Sequence, residues 1–307
     1  MRENSGQLVR SDSSKVAIKL GETTRPSSLR RFWRNLSRNP MTLWGLAIVS
    51  FMVLIALFSS RLAPFHYDDV NLPDRLQPPN ATHLLGTDQF GRDILSRIIY
   101  GARVSLLVGF GGVAIAVIVG VSLGAVAGYF GGWTDEVIMR IMDILLAFPY
   151  IVLAIALIAM VGPSLNNIVF VVGITRIPQF ARVTRGSVLS LREMEFIIAA
   201  RAAGQREWLI LVRHILPNVI TPVSVLASLS VATAILTESA LSFLGLGIQP
   251  PQASWGTMIA DGRRFMLDAP WIATFPGIFI SLTILGYNLL GDGLRDALDP
   301  RLRGRDH

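Results

Sequence analysis

The sequence predicts an all-α integral membrane protein with about six transmembrane helices. Three observations carry that expectation. Hydrophobic residues make up 51% of the 307-residue chain, and its mean hydropathy is +0.51. Only 16% of the residues are charged, against roughly 25% in a typical soluble domain. Those charges are bunched, and between them lie uncharged runs of about the 20 residues that cross a bilayer.

The N-terminal tail, residues 1–40, is rich in Ser, Thr and Arg and has no apolar core of a cleavable signal. Met1 to Ser28 reads as disordered. Leu29 to Arg38 places Phe32, Trp33 and Leu36 among four arginines. This suits either a short amphipathic helix on the membrane surface or a plain basic flank to the first span.

The first span is expected over 41–62, uncharged until Arg61. An outer loop follows over 63–103, containing Pro64, Pro73, Pro78 and Pro79 and then His83-Leu-Leu-Gly-Thr-Asp-Gln-Phe-Gly-Arg-Asp93. Ile94, Leu95, Ile98 and Ile99 then form an amphipathic turn or two leading into the core, which occupies 104–294.

The second span, about Val104 to Tyr129, carries Gly120, Gly124 and Gly128 at four-residue spacing. Small residues so placed let helix backbones approach closely in lipid. The third is expected as one span over Val137 to Val161 with Pro149 inside. Arg140 and Asp143, three residues apart, are expected to pair on one face of it. The fourth, Leu165 to Phe180, reads as short and broken by Pro178. A cytoplasmic loop occupies 182–217. The fifth span is Asn218 to about Gly245 and the sixth Trp271 to Leu290. Between them, Ile248 to Pro270 holds Gln249-Pro-Pro-Gln and Trp255. Asp292, Arg295, Asp296 and Asp299 are expected past the last span, and 295–307 forms a C-terminal tail.

An even number of spans puts both termini on one side, and charge decides which side. Twenty-one of the 28 Lys and Arg residues fall on the face of the termini and of the 182–217 loop, and seven on the other. The positive-inside rule makes the first face cytoplasmic. The same flanking charges account for the net charge of +7, and no nucleic-acid partner is expected.

The absent chemistry is informative. No Gly-x-x-x-x-Gly-Lys-Ser/Thr loop is present to cradle a nucleotide phosphate, and there is no His-Glu-x-x-His zinc helix. Gly-x-Ser-x-Gly is also missing. The chain has no cysteine, so it forms no disulfide or thiolate metal site. It is read as a non-enzyme with no cofactor or metal of its own. Glu238, near the outer end of the fifth span, is the notable membrane carboxylate. It lines a translocation path, binds a partner arginine or sits beyond the hydrocarbon. His83, Asp88, Arg92 and Trp255 in the outer loops are candidates for docking an external partner, the plainer alternative being that these loops cap the helix ends.

The most polar helical segment between the spans is Glu193 to Pro217. Small and charged residues run to Gly204, and a second helix is expected to stop at Pro217. Trp208, Leu211, Val212 and Ile215 have helical spacing for an apolar face against the spans. The segment Phe196-Ile-Ile-Ala-Ala-Arg-Ala-Ala-Gly204, then nine residues, then His214-Ile-Leu-Pro217, resembles the Glu-Ala-Ala loop of binding-protein-dependent ABC importer permeases. Ala199, Ala200, Gly204, Leu216 and Pro217 match that pattern. Ile198 stands where the family has glutamate, with Glu195 one turn earlier as a substitute, and His214 stands at the first isoleucine.

Three further stretches resemble the C-type subunit of the dipeptide/oligopeptide branch. They are His83 to Asp93, Leu241-Ser-Phe-Leu-Gly-Leu-Gly-Ile-Gln-Pro-Pro251, and Asn288-Leu-Leu-Gly-Asp-Gly-Leu-Arg-Asp-Ala-Leu-Asp-Pro-Arg-Leu302. The resemblance implies a type I importer permease fold with a cytoplasmic coupling helix in a bacterial inner membrane. The implied partners are a second permease subunit forming a heterodimer, two ATP-binding subunits that use ATP and Mg, and an external substrate-binding protein. It assigns ATPase coupling to Glu195, Ala199, Ala200, Gly204, Leu216 and Pro217. Systems resembling this branch also carry nickel complexes, glutathione and other small solutes. A stand-alone secondary carrier and a non-transporting scaffold are the readings from other classes, and the lack of a chain of intramembrane carboxylates weighs against the carrier.

Overall fold

The computed structural model describes residues 39–298. The expectations for Met1 to Arg38 and for the tail beyond Leu298 lie outside the described residues. Helix α1 spans Pro40–Leu57 and is capped by the Asn39 side chain, which accepts from the Met41 N–H. A short α2, Ser59–Leu62, extends it. Helix α3 is much longer than the expected span, running Ile94–Phe130 over 37 residues. Its first turns are not a separate amphipathic piece, because Ile94, Ile98 and Ile99 are buried in the core. The Asp93 carboxylate accepts from the Ser96 N–H and fixes its start.

The third expected span is broken. Helix α4, Gly132–Leu146, and helix α5, Tyr150–Val161, meet at 90°. Pro149 has no N–H to continue the ladder and disfavours helical geometry at Phe148. Pro178, by contrast, breaks nothing. It sits inside α6, a continuous 27-residue helix from Leu165 to Leu191. Its burial within the bundle lets packing hold the backbone where a hydrogen bond is missing.

Helix α7 spans Glu195–Ala202 and α8 spans Glu207–Ile210. A π turn over Leu211–Ile215 then leads into α9, Leu216–Phe243. Pro217 therefore does not stop a helix. It lies inside the continuous Glu207–Phe243 run, just after the π turn, whose wider register leaves room for a residue without an N–H. Helix α10 is Trp255–Gly262, opened by a capping box at Ser254 and Thr257. Helix α11 runs Trp271–Leu298, so Asp292, Arg295 and Asp296 belong to it rather than to a tail.

Among the described residues, α1, α3, the run Glu207–Phe243 and α11 are long and apolar enough to cross a membrane, and the bent α4–α5 pair makes a fifth. Helix α6 is long enough at 27 residues, but Asn166, Asn167, Arg176, Gln179 and Arg182 make it too polar to be recognised on hydropathy alone. Arg176 is buried, while Asn166, Gln179 and Arg182 are exposed. The helix packs along α3 and also touches α4, α5 and α9.

The glycine spacing in α3 does what the sequence suggests. A Cβ on Gly120 would lie 2.7 Å from the Ile177 carbonyl oxygen, and one on Gly128 would lie 2.9 Å from that of Arg185. A Cβ on Gly124 would overlap the Ala181 carbonyl. Three turns of α3 thus rest directly on the α6 backbone. On the far side, α11 packs on α1 with Gly45 against the Leu290 backbone, and on α9 with Gly291 against Leu229.

Candidate functional site

The segment around α7 is built to be gripped on one side and exposed on the other. Ile197 is fully buried and Ala200 half-buried. Glu195, Phe196, Ile198, Ala199, Ala202 and Ala203 are exposed. The helix ends in a Schellman turn: Gln205 N–H donates to the Ala200 carbonyl at 3.2 Å and Gly204 N–H to that of Arg201 at 3.0 Å. Gly204 has φ +75° with no atom near its absent Cβ. Its requirement is conformational, not steric.

The chain on either side of α7 is tied to the last turn of α3. On the entry side, Arg192 Nη1 donates to the Gly128 carbonyl at 3.2 Å. On the exit side, the Tyr129 hydroxyl donates to the Glu207 carboxylate. Glu207 also accepts from Arg201 Nε at 3.0 Å, closing a link back to α7. That bond raises the pKa of Arg201 above its ordinary value. His214 Nε2 meets Gln205 Oε1 at 3.1 Å and ties the turn to the π segment. Sequence reasoning missed Tyr129 and Arg192. Their partners lie 78 and 64 residues away, and no local spacing announces them.

The second half of the segment packs differently from expectation. Leu211 and Ile215 are buried, but so is Ile210, while Trp208 and Val212 point outward. The π turn widens the spacing to five residues between Ile210 and Ile215 and rotates the buried face away from Trp208 and Val212. Leu216 is half-buried and Pro217 exposed. With Glu195, Ala199, Ala200 and Gly204, they bracket the π segment from both ends.

Helix α4 is attached to the same machinery through α6. Arg185 grips Asp135 through Nε and Nη2, both at 2.5 Å, and Arg182 Nη2 meets Asp143 at 2.6 Å. The expected Arg140–Asp143 pair is therefore replaced by Arg182–Asp143, and Arg140 is exposed. An i,i+3 pair on one helix contributes only a few tenths of a kcal/mol, and a guanidinium from a neighbouring helix outcompetes it.

The outer-loop candidates do not form a docking surface. His83, Asp88, Arg92 and Trp255 are all buried. His83 Nδ1 meets Asp93 at 3.0 Å. Arg92 Nε donates to Asp88 at 2.7 Å. Trp255 Nε1 donates to the Ile98 carbonyl at 3.0 Å. They tie the 63–103 segment and α10 to the N-terminal end of α3, and burial is possible because each polar group has a partner. Glu238 is likewise fully buried and accepts from Ser105 at 3.2 Å and Ser242 at 2.7 Å. Within this chain it faces serines of α3 and α9, not an open path.

Comparison with known proteins agrees with this geometry. The chain is 50% identical over 280 residues to the "Dipeptide transport system permease protein DppC" of Alkalihalophilus pseudofirmus, covering 91% of this chain and 92% of that protein. It is 45% identical over 275 residues to the "Glutathione transport system permease protein GsiD" of Pectobacterium atrosepticum, covering 89% and 91%. Its fold is similar to a chain of the MetNI methionine ABC transporter in an inward-facing conformation, with TM-score 0.56 and 16% identity, over 67% of this chain and 98% of that one. Residues 27–79 match the N-terminal transmembrane domain of oligopeptide transport permease C. Residues 116–304 match the model for the inner membrane component of binding-protein-dependent transport systems, and the chain belongs to that family.

Proposed function

We propose that this chain forms one half of the membrane pathway of an ATP-driven importer for dipeptides and short oligopeptides. An external binding protein delivers the peptide. A second permease subunit completes the pathway, and two separate subunits hydrolyse ATP with Mg. Helix α7, with Gly204 and the Leu216–Pro217 turn, is the coupling element on which an ATPase subunit docks. Both termini and α7 face the cytoplasm of a bacterial cell.

The observation that carries this reading is the attachment of α7. Phe196 and Ile198 are 44% and 53% exposed and offer an apolar patch of the kind that marks a protein contact. The chain on either side of that patch is tied to one turn of α3, through Gly128 and Tyr129, and Arg201 links α7 itself to the second tie. A push on α7 is thereby delivered to α3, and through the glycine seam to α6. The two ion pairs of α6 carry it to α4. The 50% identity to a dipeptide permease favours a peptide cargo. The 45% identity to a glutathione permease supports glutathione, itself a peptide with free carboxylates, as the second reading.

The test is reconstitution of the chain in proteoliposomes with its second permease, ATPases and binding protein. Dialanine uptake that requires both ATP and the binding protein supports the reading. Gradient-driven uptake by this chain alone would replace it with a secondary carrier.

A further inference from the structure

Among the described residues, Arg176 is the buried guanidinium with no carboxylate within salt-bridge distance. It is 9% exposed. It lies about 17 Å from the start of α6 and about 22 Å from its end at 1.5 Å per residue, in the middle part of a helix packed among the spans. Its Nη2 donates to Thr237 Oγ1 of α9 at 3.2 Å. Its Cζ stands 5.5 Å from the ring centroid of Tyr150. Its Nε is buried with no hydrogen-bond partner, and no carboxylate among the described residues lies within salt-bridge distance. By contrast, Arg92 and Arg97 at the outer end of α3 share Asp88, and Arg182 and Arg185 lower in α6 each have an aspartate.

A guanidinium stays protonated in a protein, and a buried cation without an anion is costly in a membrane. A hydroxyl and an aromatic face offset part of that cost. They are stand-ins for an anion, not equivalents of one. What fits the remaining donors is an acceptor-only planar group, since a carboxylate matches the guanidinium fork with two parallel hydrogen bonds.

The break between α4 and α5 locates the open side of this arginine. Ala147, Phe148, Pro149 and Tyr150 are all exposed on the surface of the chain, at the depth where the helix turns through 90°. Non-helical backbone at membrane depth is tolerated only against protein or along a water-filled cavity, not against lipid. Tyr150, the first residue beyond the break, is both exposed and seated over Arg176. The arginine therefore lies one aromatic ring away from the non-lipid side of the subunit.

We propose that Arg176 is an intramembrane binding site for the α-carboxylate of a peptide in transit, covered in this conformation by Tyr150. The proposal rests on the reading that peptides cross here. Displacement of the Tyr150 ring at the α4–α5 break uncovers the guanidinium. The peptide carboxylate then takes the Nε and Nη positions, and Thr237 holds the arginine's orientation before and after passage. A carboxylate contributed permanently by the second permease subunit is the competing occupant. It is disfavoured because such a partner would leave no need for Thr237 and Tyr150 to serve the cation.

The test uses the complete reconstituted complex with dialanine as the probe. R176M is expected to lower the initial uptake rate by about tenfold or more, the loss appropriate to charge-assisted hydrogen bonds. Subunit co-purification and basal ATP hydrolysis stay at wild-type levels, and stimulation of hydrolysis by loaded binding protein falls. R176K, which keeps the charge without the fork, is expected to fall between the two. Wild-type uptake in R176M would overturn the proposal. So would loss of the second permease on purification, which would point to a subunit carboxylate. Equal loss in R176M and R176K together with lowered basal hydrolysis would also overturn it, pointing to a purely structural arginine. Absence of dialanine uptake by the wild-type complex would remove the peptide reading itself.

Discussion

The Tyr129 hydroxyl and the Glu207 carboxylate are hydrogen-bonded across 78 residues of sequence, joining the last turn of α3 to the first turn of α8. Glu207 also holds Arg201 of α7. The Arg201–Glu207 pair is about half exposed, and on its own such a pair contributes little. The tyrosine makes it a joint between α3, α7 and α8.

Removing that hydroxyl tests the joint. Y129F is expected to cost about 1 kcal/mol of local stability, the net value of one hydrogen bond. Uptake per ATP hydrolysed should fall while basal hydrolysis persists. The ratio of dialanine imported to phosphate released checks it, and an unchanged ratio would show that the link carries no coupling.

Gly204 is expected to tolerate bulk but not chirality. Its φ of +75° costs an L-residue about 1–2 kcal/mol, and nothing lies within 4 Å of the added Cβ. Gly204→Val should uncouple transport while leaving membrane insertion intact. Gly204→Asn, which adopts this conformation more readily, should retain most uptake. Transport assays on both variants at matched expression decide it.

A glycine in the α3–α6 seam should be intolerant of substitution, and one on the open side of α6 indifferent to it. Gly124 sits against the Ala181 backbone, whereas Gly186 of α6 has no neighbour within 4 Å of its Cβ position. Gly124→Val should lose folded protein in a detergent melting assay, because the displaced partner is backbone. Gly186→Ala should be neutral or stabilising by up to about 1 kcal/mol, from helix propensity.

The outer loop should fail through folding, not through partner recognition. Asp88 accepts from Arg92 and lies 3.6 Å from Arg97, all three being buried. D88N would leave those cations without an anion in salt-bridge distance, Asp261 and Asp68 standing farther off, a change worth about 3–5 kcal/mol. A large drop in melting temperature is expected. A normal melting temperature combined with lost binding-protein affinity would return Asp88 to a docking role.

What was legible in the sequence was what depends on short spacing. Gly120, Gly124 and Gly128 announce close packing because four residues bring them to one helix face. The Schellman turn at Gly204 follows from a glycine after a run of alanines. Proline was ambiguous. Pro149 breaks a span, Pro178 is absorbed inside α6 and Pro217 opens α9, because tertiary packing and the preceding π turn decide its effect. The helix α6 was read as short because Pro178 and its polar residues interrupt the apolar run, while the packing on α3, α4, α5 and α9 that keeps it helical lies outside any local window. His83, Asp88, Arg92 and Trp255 looked like surface chemistry. Their partners, Asp93, each other and the Ile98 carbonyl 157 residues from Trp255, make them internal struts. Ile198 remains the departure from the family pattern. At 53% exposure on the outer face of α7, it presents an apolar contact where a carboxylate would stand.

Labelling at that position tests the docking role of α7 most directly. The chain has no cysteine, so Ile198→Cys supplies a single reporter thiol. Ile198 is exposed and makes no internal bond, so the substitution should leave the fold intact. In inside-out vesicles, a membrane-impermeant maleimide should label it readily without the ATPase subunits and poorly once they are bound. In right-side-out vesicles it should not label at all. Equal labelling with and without bound ATPase subunits, or labelling from the outer face, would contradict α7 as the coupling helix.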